Sequence, residues 1–132
     1  MRVLQTYIRI YVSDMDTSLT FYENLLGAVS TFRFKYEVAG LELASVGNIL
    51  ILAGSDQALE PFRKTKATFK VDNIQEFYSH LISSGCRVIR ELTRVPTGIN
   101  LTVQHPDGEI FEYVQHHEHK ARAFPSCGYC AF

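Results

Sequence analysis

Pro96-Thr97-Gly98, an alternating run to Gln104, and then His105-Pro106-Asp107-Gly108-Glu109-Ile110-Phe111-Glu112-Tyr113 form the stretch on which the fold turns. A proline ahead of Asp-Gly presets φ, and the glycine takes a conformation that other residues resist, so Pro106-Asp107-Gly108 predicts a tight turn. The flanking segments, Ile99 to Gln104 and Glu109 to Gln115, alternate apolar and polar residues as strands do. The stretch therefore reads as a hairpin, and Arg87 to Thr93 supplies a further strand before it.

Moving toward the N-terminus, a helix from about Asn73 carries Ile74, Phe77, Tyr78, Leu81 and Ile82 at helical spacing and ends near Gly85. Before it, Ala67, Phe69 and Val71 alternate with Lys66, Thr68 and Lys70, which is a strand pattern. The order is thus strand, helix, strand, strand, strand. Residues 54–65 are polar, contain Pro61 and lack a clear period, so they read as a linker.

The same order precedes that linker. Ile8, Ile10 and Val12 share one face of a strand and Tyr7, Arg9 and Tyr11 the other. Asp14 or Asp16 can cap a helix whose Leu19, Tyr22, Leu25 and Leu26 fall at helical spacing and which Gly27 stops. Strands are then predicted at Phe32 to Tyr36, Leu41 to Val46 and Asn48 to Ala53. Phe32, Phe34 and Tyr36 are expected to be core against a helix, the alternative being rings that line a binding pocket. Val12-Ser13-Asp14-Met15 corresponds to Val71-Asp72-Asn73-Ile74, Phe21-Tyr22 to Phe77-Tyr78, and Gly27 to Gly85, an internal duplication carried more by element order than by identity.

The composition narrows the class. At 132 residues, 46% apolar and 20% charged, the chain suits one globular domain. Thirteen basic residues against fourteen acidic ones leave no net field toward nucleic acid or a membrane surface. No apolar run is long enough to span a bilayer. Cys86, Cys127 and Cys130 are odd in number and unevenly spaced, which argues against a disulfide framework and for the cytoplasm.

Pro96-x-Gly98 with its hairpin ending at Glu112, together with Val12-Ser13-Asp14-Met15, Ser18-Leu19, Phe21-Tyr22 and Leu26-Gly27, resembles the vicinal oxygen chelate superfamily of glyoxalases, bleomycin-resistance proteins and dioxygenases. The resemblance spans about residues 5–115. It implies an α+β fold in which two tandem βαβββ modules form a curled eight-stranded cup with helices on the outer face. The domain would cover 1–118, with modules at about 5–53 and 66–115 and a C-terminal tail at 119–132. It also implies a homodimer.

Metal-dependent members of that family place His, Glu or Gln at four cup positions, which by counting fall here on Tyr7, Ile51, Lys66 and Glu112. Only Glu112 is a suitable donor, and Lys66 would bring a cation to a cation site, so no metal and no other cofactor is expected. Tyr7, Arg9, Tyr11, Lys66, Thr68 and Glu112 remain as the expected ligand-binding residues, with Glu112 paired to Lys66 or Arg9. The function expected is the binding of a small organic molecule in a metal-free cup, as in drug sequestration. The alternative is a lyase, isomerase or dioxygenase, metal-dependent or using Glu112 as catalytic general base. His116-His117-Glu118-His119 and Cys127-Gly128-Tyr129-Cys130 hold zinc-ligand residue types, but on a terminus with no evident scaffold they read as polar tail. Cys86 is expected to be a small buried residue, and His80 and His105 lack a visible acid or nucleophile partner.

Overall fold

The computed structural model describes residues 1–117. It is an α+β fold of two βαβββ modules. The first comprises β1 (Val3–Val12), α1 (Met15–Leu26), β2 (Phe32–Tyr36), β3 (Leu41–Val46) and β4 (Ile49–Ala53). A short α2 (Asp56–Leu59) and one 3-10 turn follow, and then the second module has β5 (Thr65–Val71), α3 (Ile74–Ser83), β6 (Arg87–Val95), β7 (Gly98–Gln104) and β8 (Ile110–His116). Tyr7–Lys64 form one compact unit, and Met1–Thr6 join the residues from Thr65 onward in the other. In that second unit the Arg2 backbone N–H donates to the Asp72 carboxylate at 2.8 Å and the Asp72 N–H returns to the Arg2 carbonyl at 3.1 Å.

In the first module the strand order is β2-β3-β4-β1, with β1 parallel to β4 and the remaining pairs antiparallel. Asp14 caps α1 by accepting from the Thr17 N–H at 3.1 Å, which lowers the Asp14 pKa, and Gly27 ends the helix at φ 64°. Met15 and Leu19 seat α1 on Val12, Ala44, Val46, Ile51 and Ala53. The opposite face carries Tyr7, Leu41, Leu50 and Leu52, covered by Leu59 of α2.

Two readings are corrected here. Phe32, Phe34 and Tyr36 do not pack against α1: they pair with Ser45, Leu43 and Leu41 on the face away from it, where Phe32 meets the cluster that includes Leu59 of α2. The helix side of this edge strand belongs instead to Arg33, whose guanidinium takes Asp16 of α1 at 2.8 Å and Glu42 of β3 at 2.5 Å. Salt-bridging replaces apolar contact at that end of the helix. Residues 54–65 are more than a linker. Ser55 accepts from the Ala58 N–H at 3.1 Å to start α2, and Leu59 is 1% exposed. A single helical turn is too short to leave a period in the sequence.

In the second module the order is β5-β8-β7-β6, with β5 parallel to β8 and the hairpin pairs antiparallel. Asn73 caps α3 at the Glu76 N–H, and Ile74, Phe77 and Leu81 pack on Val71, Leu101, Val103 and Tyr113. The predicted hairpin is present. Its turn closes through the His105 N–H to the Glu109 carbonyl and the Gly108 N–H to the His105 carbonyl, both 2.8 Å, with Gly108 at φ 95°. The glycine of Pro-x-Gly has a steric cause: at Gly98 (φ 153°) an added Cβ would lie 2.0 Å from the Gln115 carbonyl oxygen.

His105 has a structural role in this module. Its ring stacks on Phe111 at 4.5 Å and meets the Tyr113 hydroxyl at 2.7 Å. Cys86 is half-buried against the same core, and burial raises its thiol pKa. Glu118, His119, Cys127 and Cys130, and with them the proposed tail 119–132, lie outside the described residues. Among the described residues no helix is long and apolar enough to cross a membrane.

Candidate functional site

The face of the second module turned away from α3 is built by register. The hairpin places Thr102 opposite Glu112, and the parallel β5–β8 pair places Thr68 beside Glu112 on the other side. Residues directly paired across strands share a face. The Glu112 carboxylate therefore lies among polar neighbours: Oε1 accepts from the Thr68 hydroxyl at 2.8 Å and Oε2 from the Asn100 amide at 2.8 Å. Thr68 is 2% exposed and Thr102 3% exposed, so their polar groups are part of a set interior surface rather than a solvated rim. With a donor on each oxygen the carboxylate has a fixed orientation.

Lys66 is not brought to Glu112. A register shift between Thr65 and Thr68 turns it outward, where its ammonium stands 3.6 Å from Glu109 in an exposed pair. Of the two pairings expected for Glu112, with Lys66 or with Arg9, the one with Lys66 is corrected: that ammonium pairs with Glu109, and Thr68 is the β5 residue that reaches Glu112. Further along the face, beside Val114, lie Lys70 and His116. Burial lowers the Lys70 pKa, and burial, followed by the charges of Lys70 and His117, brings that of His116 down to about 4.

In the first module Tyr7, Arg9 and Tyr11 do share the face away from α1. Tyr7 is 4% exposed, meets Phe32 edge-on at 6.5 Å, and has its phenol pushed up to about 12 by burial. Arg9 Nε donates to the Tyr11 hydroxyl at 2.7 Å, and that hydroxyl donates to the Phe62 carbonyl at 2.5 Å. Ile51 is on the other face. The parallel register pairs Ile10 with Ile51 and Arg9 with Leu50, so Ile51 is sealed against α1 and Leu50 and Leu52 face the side of Tyr7. Counting from the strand end missed this by one residue, which in a strand exchanges the faces.

Tyr7, Ile51, Lys66 and Glu112 are the four positions at which the resemblance implies ligands for a divalent ion. A neutral phenol with raised pKa, an isoleucine on the wrong face and an ammonium turned outward leave Glu112 as the one suitable ligand among those four positions. Sequence reasoning overlooked Asn100, Thr102 and His116, and left Lys70, on the face of Thr68 by alternation, out of the binding set. A signal for two of them was present. Once Pro106-Asp107-Gly108 fixes the hairpin, Thr102 falls opposite Glu112 and Asn100 two residues further on the same face.

Residues 4–113 match the profile of the Glyoxalase/Bleomycin resistance protein/Dioxygenase superfamily, and the chain belongs to that family. A crystal structure of an uncharacterized protein from Methanosarcina mazei is 44% identical, covering 89% of this chain and 95% of that one, with a TM-score of 0.79. Methylmalonyl-CoA epimerase from Mycobacterium tuberculosis is 18% identical, covering 91% and 93% of the two chains, with a TM-score of 0.72. A variant of the Streptomyces coelicolor methylmalonyl-CoA epimerase in complex with 2-nitronate-propionyl-CoA is also 18% identical, covering 85% and 96%, with a TM-score of 0.65. The two epimerase likenesses speak to the fold alone. None of the curated proteins matches the chain.

Proposed function

We propose that this protein binds a small organic molecule without a metal ion, and that Glu112 is the polar group that reads it. The observation that carries the reading is the Glu112 carboxylate held by Thr68 and Asn100, each at 2.8 Å, on a face whose other groups are largely buried. A few well-placed polar groups give a binding site orientation and specificity. An oriented carboxylate takes a hydroxyl or amide N–H of a ligand without first being reorganised. Sequestration of a drug-like molecule is one use of such a site. We place the protein in the cytoplasm as a homodimer, and a light-scattering mass equal to one chain would remove the dimer.

The test is a thermal-shift screen of a small-molecule library in EDTA. Ligand bound only to the native state raises its stability, so hits are expected in EDTA and are expected to vanish in Glu112→Gln. Hits that survive that substitution unchanged would overturn the assignment of Glu112.

The same geometry favours one second reading, an isomerase or lyase in which Glu112 takes a proton from carbon. A carboxylate fixed on both oxygens is an arrangement suited to a general base. Deuterium entering a bound ligand from D2O, and failing to enter with Glu112→Gln, would select catalysis over simple binding.

A further inference from the structure

The face that carries Glu112 also carries a cation. Lys70 and Thr68 point the same way on β5, and Lys70 pairs across the sheet with Val114 as Thr68 does with Glu112. Asn100 of β7 continues the row of Lys70 and Val114. Lys70 and Glu112 are therefore diagonal neighbours on one face, about 8 Å apart between Cα atoms at the usual rise and strand spacing. Among the described residues the Lys70 side chain has neither an ion pair nor a hydrogen bond. Lys35 and Lys64 are exposed, where water satisfies an ammonium. Lys70 is half-buried, and that burial lowers its pKa. Beside it His116 is neutral at pH 7, since burial and then the Lys70 charge bring its pKa down to about 4. The exposure pattern is that of a floor with open walls. Thr68, Thr102 and Val114 are 2%, 3% and 5% exposed, whereas Lys70, Asn100, Glu112 and His116 each keep part of their surface open. Val71, Leu101, Val103 and Tyr113, which pack on α3, all belong to the opposite face.

We propose that Lys70 receives the carboxylate of the ligand bound on this face, which makes that ligand a small organic acid. The inference rests on the small-molecule reading above and names the class of ligand. An ammonium drawn from water without a partner costs free energy, and an anion in contact offsets that cost. Lysine is a compact point charge with three rotatable donors, so it meets an acid oxygen over a range of approaches. Glu112 does not take that role. Its two oxygens are engaged by Thr68 and Asn100, each at 2.8 Å, which holds the carboxylate a diagonal step away from Lys70. A single ammonium with a carboxylate at that distance balances a singly charged acid better than a phosphate dianion.

The experiment uses 3-hydroxybenzoate and its neutral counterpart 3-hydroxybenzamide, titrated calorimetrically into the wild-type chain, Lys70→Met and Lys70→Arg. The wild type is expected to bind the acid at least tenfold tighter than the amide, and Lys70→Met to bind the two alike. Lys70→Arg keeps the charge and should retain most of the preference. Thermal unfolding without ligand gives a second readout. Lys70→Met removes an unpaired, half-buried ammonium and should raise Tm by a few degrees, whereas loss of a contact that serves the fold would lower it. A lowered Tm, equal binding of the two probes by wild type, a preference that survives Lys70→Met or is lost in Lys70→Arg, or no binding of either probe would overturn the inference. None of those results decides the Glu112 reading, which stands or falls on the library screen and Glu112→Gln.

Discussion

The two modules share one order of elements and one capping device, yet the faces they turn away from their helices differ in kind. In the first, Phe32, Phe34, Leu50 and Leu52 make an apolar surface with Arg9 as the cation of its row. In the second, Thr68, Asn100, Thr102 and Glu112 make a polar surface with a fixed carboxylate. The helix-facing sides are alike: Met15 and Leu19 do in one what Ile74, Phe77 and Leu81 do in the other. Duplication therefore kept what folds the module and let the opposite faces diverge, as expected where packing constrains one side of each strand and ligand chemistry the other.

The sharpest break in the comparison should come at Gly98, whose crowding is not shared by Gly40, the glycine just ahead of β3 in the first module. Gly98→Ala sets a methyl 2.0 Å from the Gln115 carbonyl oxygen at a backbone angle hostile to side chains. A loss of about 4 kcal/mol or more is expected, enough to unfold the chain, as measured by urea denaturation. Next, Leu101→Ala on β7 and Ile51→Ala on β4 each empty a position that is 0% exposed, one in each core. Each should cost about 3 kcal/mol in the same assay, and a large inequality would show that one module tolerates collapse better than the other.

Between about pH 4 and 6.5 a pH effect should come from the second module. The His116 pKa lies at about 4 in the fold and near 6.5 when unfolded, so the unfolded chain binds the extra proton between those values. Stability contributed by the neutral imidazole is present above pH 6.5 and is lost as pH falls toward 4, by on the order of 2 kcal/mol. His116→Gln should flatten that part of a Tm-against-pH curve. The smallest effect is expected in the first module. Ser45→Ala removes an unpartnered buried hydroxyl and should raise stability by up to about 1 kcal/mol.

Much of this fold was legible because its signals are local. Asp14 and Asn73 cap their helices, Gly27 ends the first, and Pro106-Asp107-Gly108 sets the hairpin. What escaped depends on long-range register. Lys66 leaves its expected place because of a bulge, Ile51 faces the helix because β1 and β4 pair in parallel with Ile10 opposite it, and Phe32 turns from the helix because Arg33 is drawn to Asp16. None of these is encoded in the alternation of a single strand. The site was half visible for the same reason: Glu112, Thr68 and the face of Lys70 follow from alternation, whereas Asn100 and Thr102 needed the hairpin register, and His116 needed burial.

The central claim is that Glu112 serves a small molecule directly and not through a divalent ion. It is tested most directly by thermal unfolding of the wild type and Glu112→Gln with nickel, zinc or manganese added after EDTA treatment. The account predicts no difference between the two proteins in their response to any of these ions. A stabilisation of several degrees in the wild type that disappears with Glu112→Gln would contradict it.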